Sequence, residues 1–518
     1  MQEGKRMFAR ASGVLLAVSS LPSPYGIGSF GKTAKDWIDF LEQAGQKCWQ
    51  LLPLGVTSWG DSPYMSFSAF AINPYYIDLD ALCEQGLLEK QEIAALDWGR
   101  SPDAADYALL YRNREIVLSR AFSRARHALE TNADFMDFCE KNSSWLKDFC
   151  LFMALKKLHG GVSWLEWERE VRLRDAAALE RHERDIAEAM QYNAFLQFLA
   201  FTQWKDIKSY ANSKNISIIG DMPIYVAIDS ADVWANGDLF QLDEDRVPVR
   251  VAGCPPDAFA PKGQLWGNPL YNWEKAAETG FAWWISRIKE NGALYDVVRI
   301  DHFRGFESYY SIPYGAPDAS NGEWMPGPGL AFVNAINGAV INDAAINRAS
   351  SGAAIIAEDL GYRTPEVSAL LAASGYPGMK VLQFAFDSRE NSGYMPYTYP
   401  RNCVVYTGTH DNTTTLDWFT SARTEDVEIA KDYLGVDNPV DGVWGFIRAA
   451  LSSVADLAVI PMQDYLCLGA EARMNTPSIL GGNWRWRMPP DALYRDGSGD
   501  AAALAKKIRR LAEVNGRL

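Results

Sequence analysis

Three short stretches of this sequence concentrate carboxylates, an arginine and a histidine in patterns suited to breaking an acetal. Such a bond needs a proton donor for the departing oxygen and a negative group facing the oxocarbenium-like carbon. Two carboxyl groups of different proton affinity are therefore the minimum apparatus. In Asp296-Val-Val-Arg-Ile-Asp-His-Phe-Arg-Gly305, Arg299 and Asp301 stand two positions apart and would share one face of a strand. The guanidinium would keep Asp301 ionised, as a nucleophile requires. A purely structural Arg–Asp pair explains this segment equally well when it is taken alone. In Ile355-Ile-Ala-Glu-Asp-Leu-Gly361, Glu358 closes an apolar run, where burial and the Asp301 anion would both raise its pKa. That suits a general acid that later serves as base. Asp359 competes for the role but would face the opposite way on a strand, and a strand-end Glu-Asp is more often a capping or loop device. In Val405-Tyr-Thr-Gly-Thr-His-Asp-Asn-Thr-Thr414, His410 and Asp411 could hydrogen-bond neighbouring hydroxyls of a sugar ring. Two of the five histidines, His302 and His410, adjoin these carboxylates. A metal site is the rival account, but no H-E-x-x-H or other close ligand spacing occurs. No cofactor is expected, since an acid/base and a nucleophile suffice.

The elements that must position these groups recur along the chain. Eight short apolar runs that end in polar residues, at 13–19, 47–53, 216–221, 296–301, 353–358, 380–386, 403–409 and 458–461, read as parallel strands. Helical patterns fall between them at 33–44, 281–291 and 364–374, the last opened by Thr364 as N-cap and Pro365 at the first helical position. Eight strand–helix units predict an α/β protein with a (β/α)8 TIM barrel, in which catalytic groups occupy the C-terminal strand ends. Asp221, Asp301, Glu358 and Asp411 each fall at or just beyond such an end. A doubly wound sheet would give the same alternation, and the missing G-x-G-x-x-G after the first run favours the barrel only mildly. One catalytic barrel is expected over 1–518, with an insertion at 54–215 that carries a helical subdomain at about 87–213, and a second insertion at 222–295. The charges from Arg169 to Glu188 read as a solvated helix face. Most of the 18 Trp, 23 Tyr and 23 Phe read as core, Trp164 and Trp167 among them, leaving some rings to stack on sugar.

Fifty Lys+Arg against 65 Asp+Glu give a formal charge of −15, which would repel a nucleic-acid backbone or an anionic membrane and suits a neutral ligand such as a sugar. Seven cysteines, with no C-x-x-C pair, read as reduced and mostly buried. The apolar run 14–18 is too short for a membrane span and lacks a cleavage pattern, so a cytoplasmic enzyme is expected.

Further segments carry a resemblance that covers nearly the whole chain. They are Ser20-Leu-Pro-Ser-Pro-Tyr-Gly-Ile-Gly28, Trp49-Gln-Leu-Leu-Pro-Leu54, Asp61-Ser-Pro-Tyr64 through Asn73-Pro-Tyr75, Gly220-Asp-Met-Pro-Ile-Tyr225, Gly267-Asn-Pro-Leu-Tyr271, and Arg473-Met-Asn-Thr-Pro-Ser478 with Gly482-Asn-Trp484. With the carboxylate segments, this set resembles the amylomaltases, the 4-α-glucanotransferases of glycoside hydrolase family 77. The resemblance implies Asp301 as nucleophile, Glu358 as acid/base and Asp411 as transition-state stabiliser. It implies sugar contacts from Asp221, Arg299 and His410, from Ser62 and Tyr64, and from Asn483. The stretch from Pro255 to Trp266, within about 251–273, resembles a loop that closes over bound glucan, which adds Gln264 and Trp266. The implied partners are α-1,4-glucans, with glucose or another glucan as acceptor. An α-amylase-like hydrolase and a catalytically silent glucan-binding protein are the alternatives.

Overall fold

A parallel strand covered on both faces needs apolar residues at nearly every position, and each of the eight runs supplies them. The computed structural model describes residues 8–58, 60–256, 260–342, 354–361, 363–389, 392–494 and 500–518. Numbering only the barrel strands, these are β1 (Ala11–Leu15), β2 (Cys48–Gln50), β3 (Ser217–Met222), β4 (Val297–Ile300), β5 (Ala354–Ala357), β6 (Gly378–Val381), β7 (Cys403–Tyr406) and β8 (Leu457–Pro461). Each except β5 pairs in parallel with its successor, and β8 pairs with β1. The ring closes between β5 and β6, where the Ala357 amide donates to the Pro377 carbonyl at 3.0 Å. This is the expected (β/α)8 barrel.

Four strands end three or more residues earlier than the sequence reading, the second at Gln50 rather than 53 and the seventh at Tyr406 rather than 409 among them. The first strand spans Ala11–Leu15 rather than 13–19, and the chain then turns through a 3-10 segment at Val18–Ser20. The sixth stops at Val381, and Leu382–Phe384 also forms a 3-10 turn. An apolar run does not by itself separate a buried strand from a buried turn. The sixth strand is anchored early because the Met379 amide donates to the Asp359 carboxylate at 2.7 Å. Only glycine fits before it, since a Cβ at Gly378 would stand 2.6 Å from an Asp359 oxygen.

The expected helices form at Lys32–Gln43, Ala282–Leu294 and Pro365–Ser374, the last with the Thr364 hydroxyl accepting the Val367 amide. Between β2 and β3 the chain is largely helical, with long helices at Tyr107–Leu129, Leu146–Leu158 and Ala187–Ser213. The third buries Trp204, Ile207 and Ala211 and reaches back to the segment after β2. There its Gln197 carboxamide accepts from the Ile72 amide and donates to the Ile72 carbonyl. Trp164 and Trp167 are buried, as expected of packing residues. Within 251–273, expected as a loop, strands form at Arg250–Cys254 and Gln264–Pro269, while residues 257–259 lie outside the described ones. They belong to a four-stranded antiparallel sheet with Ser308–Pro313 and Glu323–Pro326 that the sequence reading did not foresee. None of the seven cysteines is in a disulfide; three are buried and four half-buried. Among the described residues no helix is long and apolar enough to cross a membrane.

At the N-terminal ends of the strands, fully buried Arg517 spends all its donor nitrogens on carbonyls. Nε serves Leu451 at 2.6 Å, Nη1 serves Ala11 and Asp456, and Nη2 serves Ser453 and Ala455. It thereby ties the starts of β1 and β8 to the end of the helix Pro439–Ser452. Arg10 also serves the Leu451, Ser453 and Ala455 carbonyls, and the Ala11 amide serves that of Asp456. Arg517→Ala therefore removes five hydrogen bonds and buried packing without stripping every acceptor. We expect a loss of about 2 kcal/mol or more in equilibrium urea unfolding. A change within about 0.5 kcal/mol, the range of an ordinary surface substitution, would show that the guanidinium is not a closure element.

Candidate active site

The parallel register builds the site in two rungs. Asp221 on β3 is the partner of Arg299 on β4, and one pair further up Ile300 is the partner of Ala357 on β5. The next residue on each of those two strands is a carboxylate, Asp301 and Glu358. Gly220 precedes Asp221 because a Cβ there would stand 2.1 Å from the Tyr295 ring.

Arg299 is buried and touches two carboxylates through Nη1: Asp221 at 2.6 and 2.7 Å, and Asp301 at 3.0 Å. The sequence reading had this guanidinium holding Asp301 ionised. The structure sharpens that, because the shorter contacts go to Asp221. Burial therefore outweighs the attraction of Arg299, and the Asp301 pKa is pushed up to about 6 rather than down. Glu358 is buried too, and burial first and the Asp301 anion second push its pKa up to about 8. Its two oxygens accept the amides of His302 at 2.7 Å and Leu360 at 2.6 Å. The His302 amide is free to do so because His302 takes a left-handed backbone, φ 51°. Such a conformation costs about 1–3 kcal/mol in a residue with a side chain. Asp359 faces away, to the Met379 amide and Arg363, as the strand period required.

Asp411 and His410 follow β7 in a loop tied down by buried Asp464, which accepts from the Thr407 hydroxyl and from the amide and hydroxyl of Thr415. His410 Nε2 lies 3.4 Å from Asp411 Oδ2, and its ring stacks on Tyr64 at 4.9 Å. The Tyr64 hydroxyl donates to Asp221 at 2.7 Å and lies 3.4 Å from His410 Nδ1. A continuous polar chain thus runs from Asp411 through His410, Tyr64 and Asp221 to Arg299 and Asp301.

The remaining candidates divide. Ser62 shapes the turn that presents Tyr64, its hydroxyl accepting the Tyr64 amide. Trp266 donates from its indole to Gln264 at 3.1 Å and meets His302 edge-on at 4.9 Å, which brings both residues beside the carboxylates. The Asn483 carboxamide is spent on its own loop, accepting from the Thr476 amide and donating to the carbonyls of Thr476 and Ile479. Three site residues went unassigned in the sequence. Asn475 donates to Asp411 at 2.6 Å, Arg473 donates to the Asp411 carbonyl at 3.0 Å, and Trp484 packs against Tyr64 and His410. All three lie in segments that carried the resemblance, so a signal existed without a role attached. Among the described residues, no group of three or more His, Cys, Asp or Glu side chains is placed to hold a metal ion.

The family model of glycoside hydrolase family 77, described as 4-alpha-glucanotransferase, matches residues 16–493. A 4-alpha-glucanotransferase of Clostridium butyricum is 45% identical over 502 residues, spanning 96% of this chain and 99% of that protein. One of Thermus thermophilus is 44% identical, spanning 97% and 99%. The solved amylomaltase of Streptococcus agalactiae in complex with acarbose superimposes with a TM-score of 0.89 at 38% identity, over 98% of this chain and 99% of that one. With a carboxylate set at the C-terminal ends of a (β/α)8 barrel and relatives matched over nearly their full length, this chain belongs to glycoside hydrolase family 77, as an enzyme that transfers glucan segments.

Proposed function

We propose that this enzyme disproportionates α-1,4-linked maltooligosaccharides by a retaining double displacement. Asp301 attacks the anomeric carbon while Glu358 protonates the departing oxygen, and the bond's electrons leave with that oxygen. A β-linked glycosyl ester remains on Asp301. Glu358, now a base, takes the proton from the 4-hydroxyl of glucose or another glucan, which attacks the same carbon, restores the α-linkage and frees Asp301. Asp411 adds negative charge facing the oxocarbenium-like transition state. The observation that carries this reading is the pairing of Asp301 and Glu358 on adjacent parallel strands with unequal proton affinities. Adjacent parallel strands lie about 4.8 Å apart, which places the two side chains within reach of one sugar ring. The substrate class is supported by the names of the relatives. We read Asp221, Arg299, Tyr64, His410, Gln264 and Trp266 as sugar contacts, the 251–273 stretch as a cover that excludes water, and Asn483 as acting through its loop. We read the seven cysteines, none of them in a disulfide, as fitting a reducing, cytoplasmic setting.

Incubation with maltotriose should give glucose together with chains longer than the substrate. Products that never exceed maltotriose, with reducing ends rising steadily, would make the enzyme a hydrolase. Asp301→Asn should lower turnover on the order of 10^4-fold or more; unchanged turnover would rule out Asp301 as the nucleophile, and no turnover in either enzyme would leave only a glucan-binding protein.

The two proton affinities set the pH dependence. A nucleophile must be ionised and a general acid protonated, so kcat/KM should climb as pH rises through about 6 and fall as it passes about 8. Glu358→Gln should abolish the alkaline limb. With α-glucosyl fluoride, whose leaving group needs no proton, that variant should accumulate an enzyme heavier by one glucosyl unit in intact-mass measurement, with the label on Asp301. A label elsewhere, or none, would contradict the covalent step.

A further inference from the structure

Asp411 presents a mechanical problem. Half of its side chain is open to solvent and it sits on a loop beyond β7, so packing does not fix its rotamer. A carboxylate free to rotate would have to lose that freedom each time it faced a transition state. We infer that Asn475 is the positioning residue that holds the Asp411 carboxylate in its working orientation, an inference that rests on the stabiliser role proposed above. The Asn475 Nδ2 donates to Asp411 Oδ1 at 2.6 Å, and the other oxygen, Oδ2, is 3.4 Å from His410 Nε2.

Asn475 is itself rigidly placed. Its amide donates to the His410 carbonyl at 3.1 Å, and its carbonyl accepts from Arg473 Nε at 2.8 Å. Arg473 also donates through Nη2 to the Asp411 carbonyl at 3.0 Å, and the Asp411 amide donates to the Thr409 hydroxyl at 3.4 Å. The strand-like return of this loop is fixed by the Trp484 amide on the Met474 carbonyl at 2.7 Å and by the Asn483 carboxamide. The loop at 473–484 thus works as a template with Asn475 as its contact point. An amide suits the task where a cation would not. It fills one lone pair of the carboxylate without cancelling the negative charge that faces a positive transition state.

A double-mutant cycle on the full-length enzyme tests this, with turnover of maltotriose as the readout. Asn475→Ala should lower kcat by about 10- to 100-fold with little change in KM, the pattern of a misplaced transition-state group. In an Asp411→Asn background the same substitution should cost less than about twofold, because its effect passes through Asp411. Equal losses in both backgrounds, or a wild-type rate for Asn475→Ala, would overturn the inference. Asn475→Asp supplies a second reading. It keeps the shape but sets a carboxylate against Asp411, so its rate relative to wild type should rise as pH falls and one of the pair takes a proton. His410, Arg473, Tyr64 and Asp301, the charged and titratable neighbours, are common to both enzymes and drop out of that ratio. A ratio flat with pH would overturn the inference. Failure of the catalytic reading itself looks different, because Asp411→Asn alone would then keep near wild-type turnover.

Discussion

Arg299 is a permanent cation, 4% exposed at its side chain, with Asp221 and Asp301 both at hydrogen-bonding distance from one of its nitrogens. In a low-dielectric interior one guanidinium balances about one negative charge. Asp221 takes the shorter contacts, Asp301 keeps a longer one, and Glu358 feels the guanidinium only at a distance. Asp301 and Glu358, on adjacent strands, differ in proton affinity. Asp301 is raised yet ionised at neutral pH, while Glu358 holds its proton there. Removing water on substrate closure would strengthen every term in this arrangement. The two carboxyl groups proposed as acid and nucleophile are therefore set apart by burial first, and then by their charged neighbours, Arg299 for Asp301 and the Asp301 anion for Glu358.

The barrel delivers that charge by register. Strands β3, β4 and β5 bring Asp221, Arg299 and the Asp301–Glu358 pair together only because they run parallel and in step; a slip of one residue on β4 would turn Arg299 and Asp301 out towards the helices. The left-handed turn at His302 then aims an amide at Glu358, and the same histidine is met by Trp266 from the neighbouring antiparallel sheet. Burial, first, and Arg304 push His302 down to about 4, so its imidazole is neutral beside the carboxylates and does not compete with Arg299. On the far side, Tyr64 passes the Asp221 contact on to His410 and hence to Asp411. Even segments distant in sequence serve this end, as Asp232 does by accepting the Ala69 amide and so fixing the stretch that bears Tyr64.

Much of this was legible in the sequence because it depends on local patterns. Apolar runs located all eight barrel strands, the period of two put Arg299 and Asp301 on one face and turned Asp359 away, and Thr364-Pro365 marked a helix start. What escaped was set by partners far apart in the chain. Nothing near Arg299 announced that Asp221, 78 residues earlier, would take its shorter contacts, so Asp301 was expected lower in pKa than it lies. The grip of Asn475 on Asp411 spans 64 residues, and the commitment of the Asn483 carboxamide depends on a loop closing on itself. The antiparallel sheet around Gln264 and Trp266 was hidden because its short strands, such as Gln-Leu-Trp-Gly-Asn-Pro, lack clean alternation and contain glycine and proline.

Both proposed steps depend on the proton held by Glu358. Carbon-13 labelling of the glutamate carboxyls, followed by NMR titration of the free enzyme and of Asp301→Asn, reads it directly. The Glu358 carboxyl, assigned by its loss in Glu358→Gln, should titrate near 8 in the wild type. In Asp301→Asn it should titrate lower, because a neighbouring anion is gone while burial remains. A Glu358 that titrates in the ordinary glutamate range, or one that is indifferent to the charge on Asp301, would contradict the claim that burial and the neighbouring anion hold its proton in place.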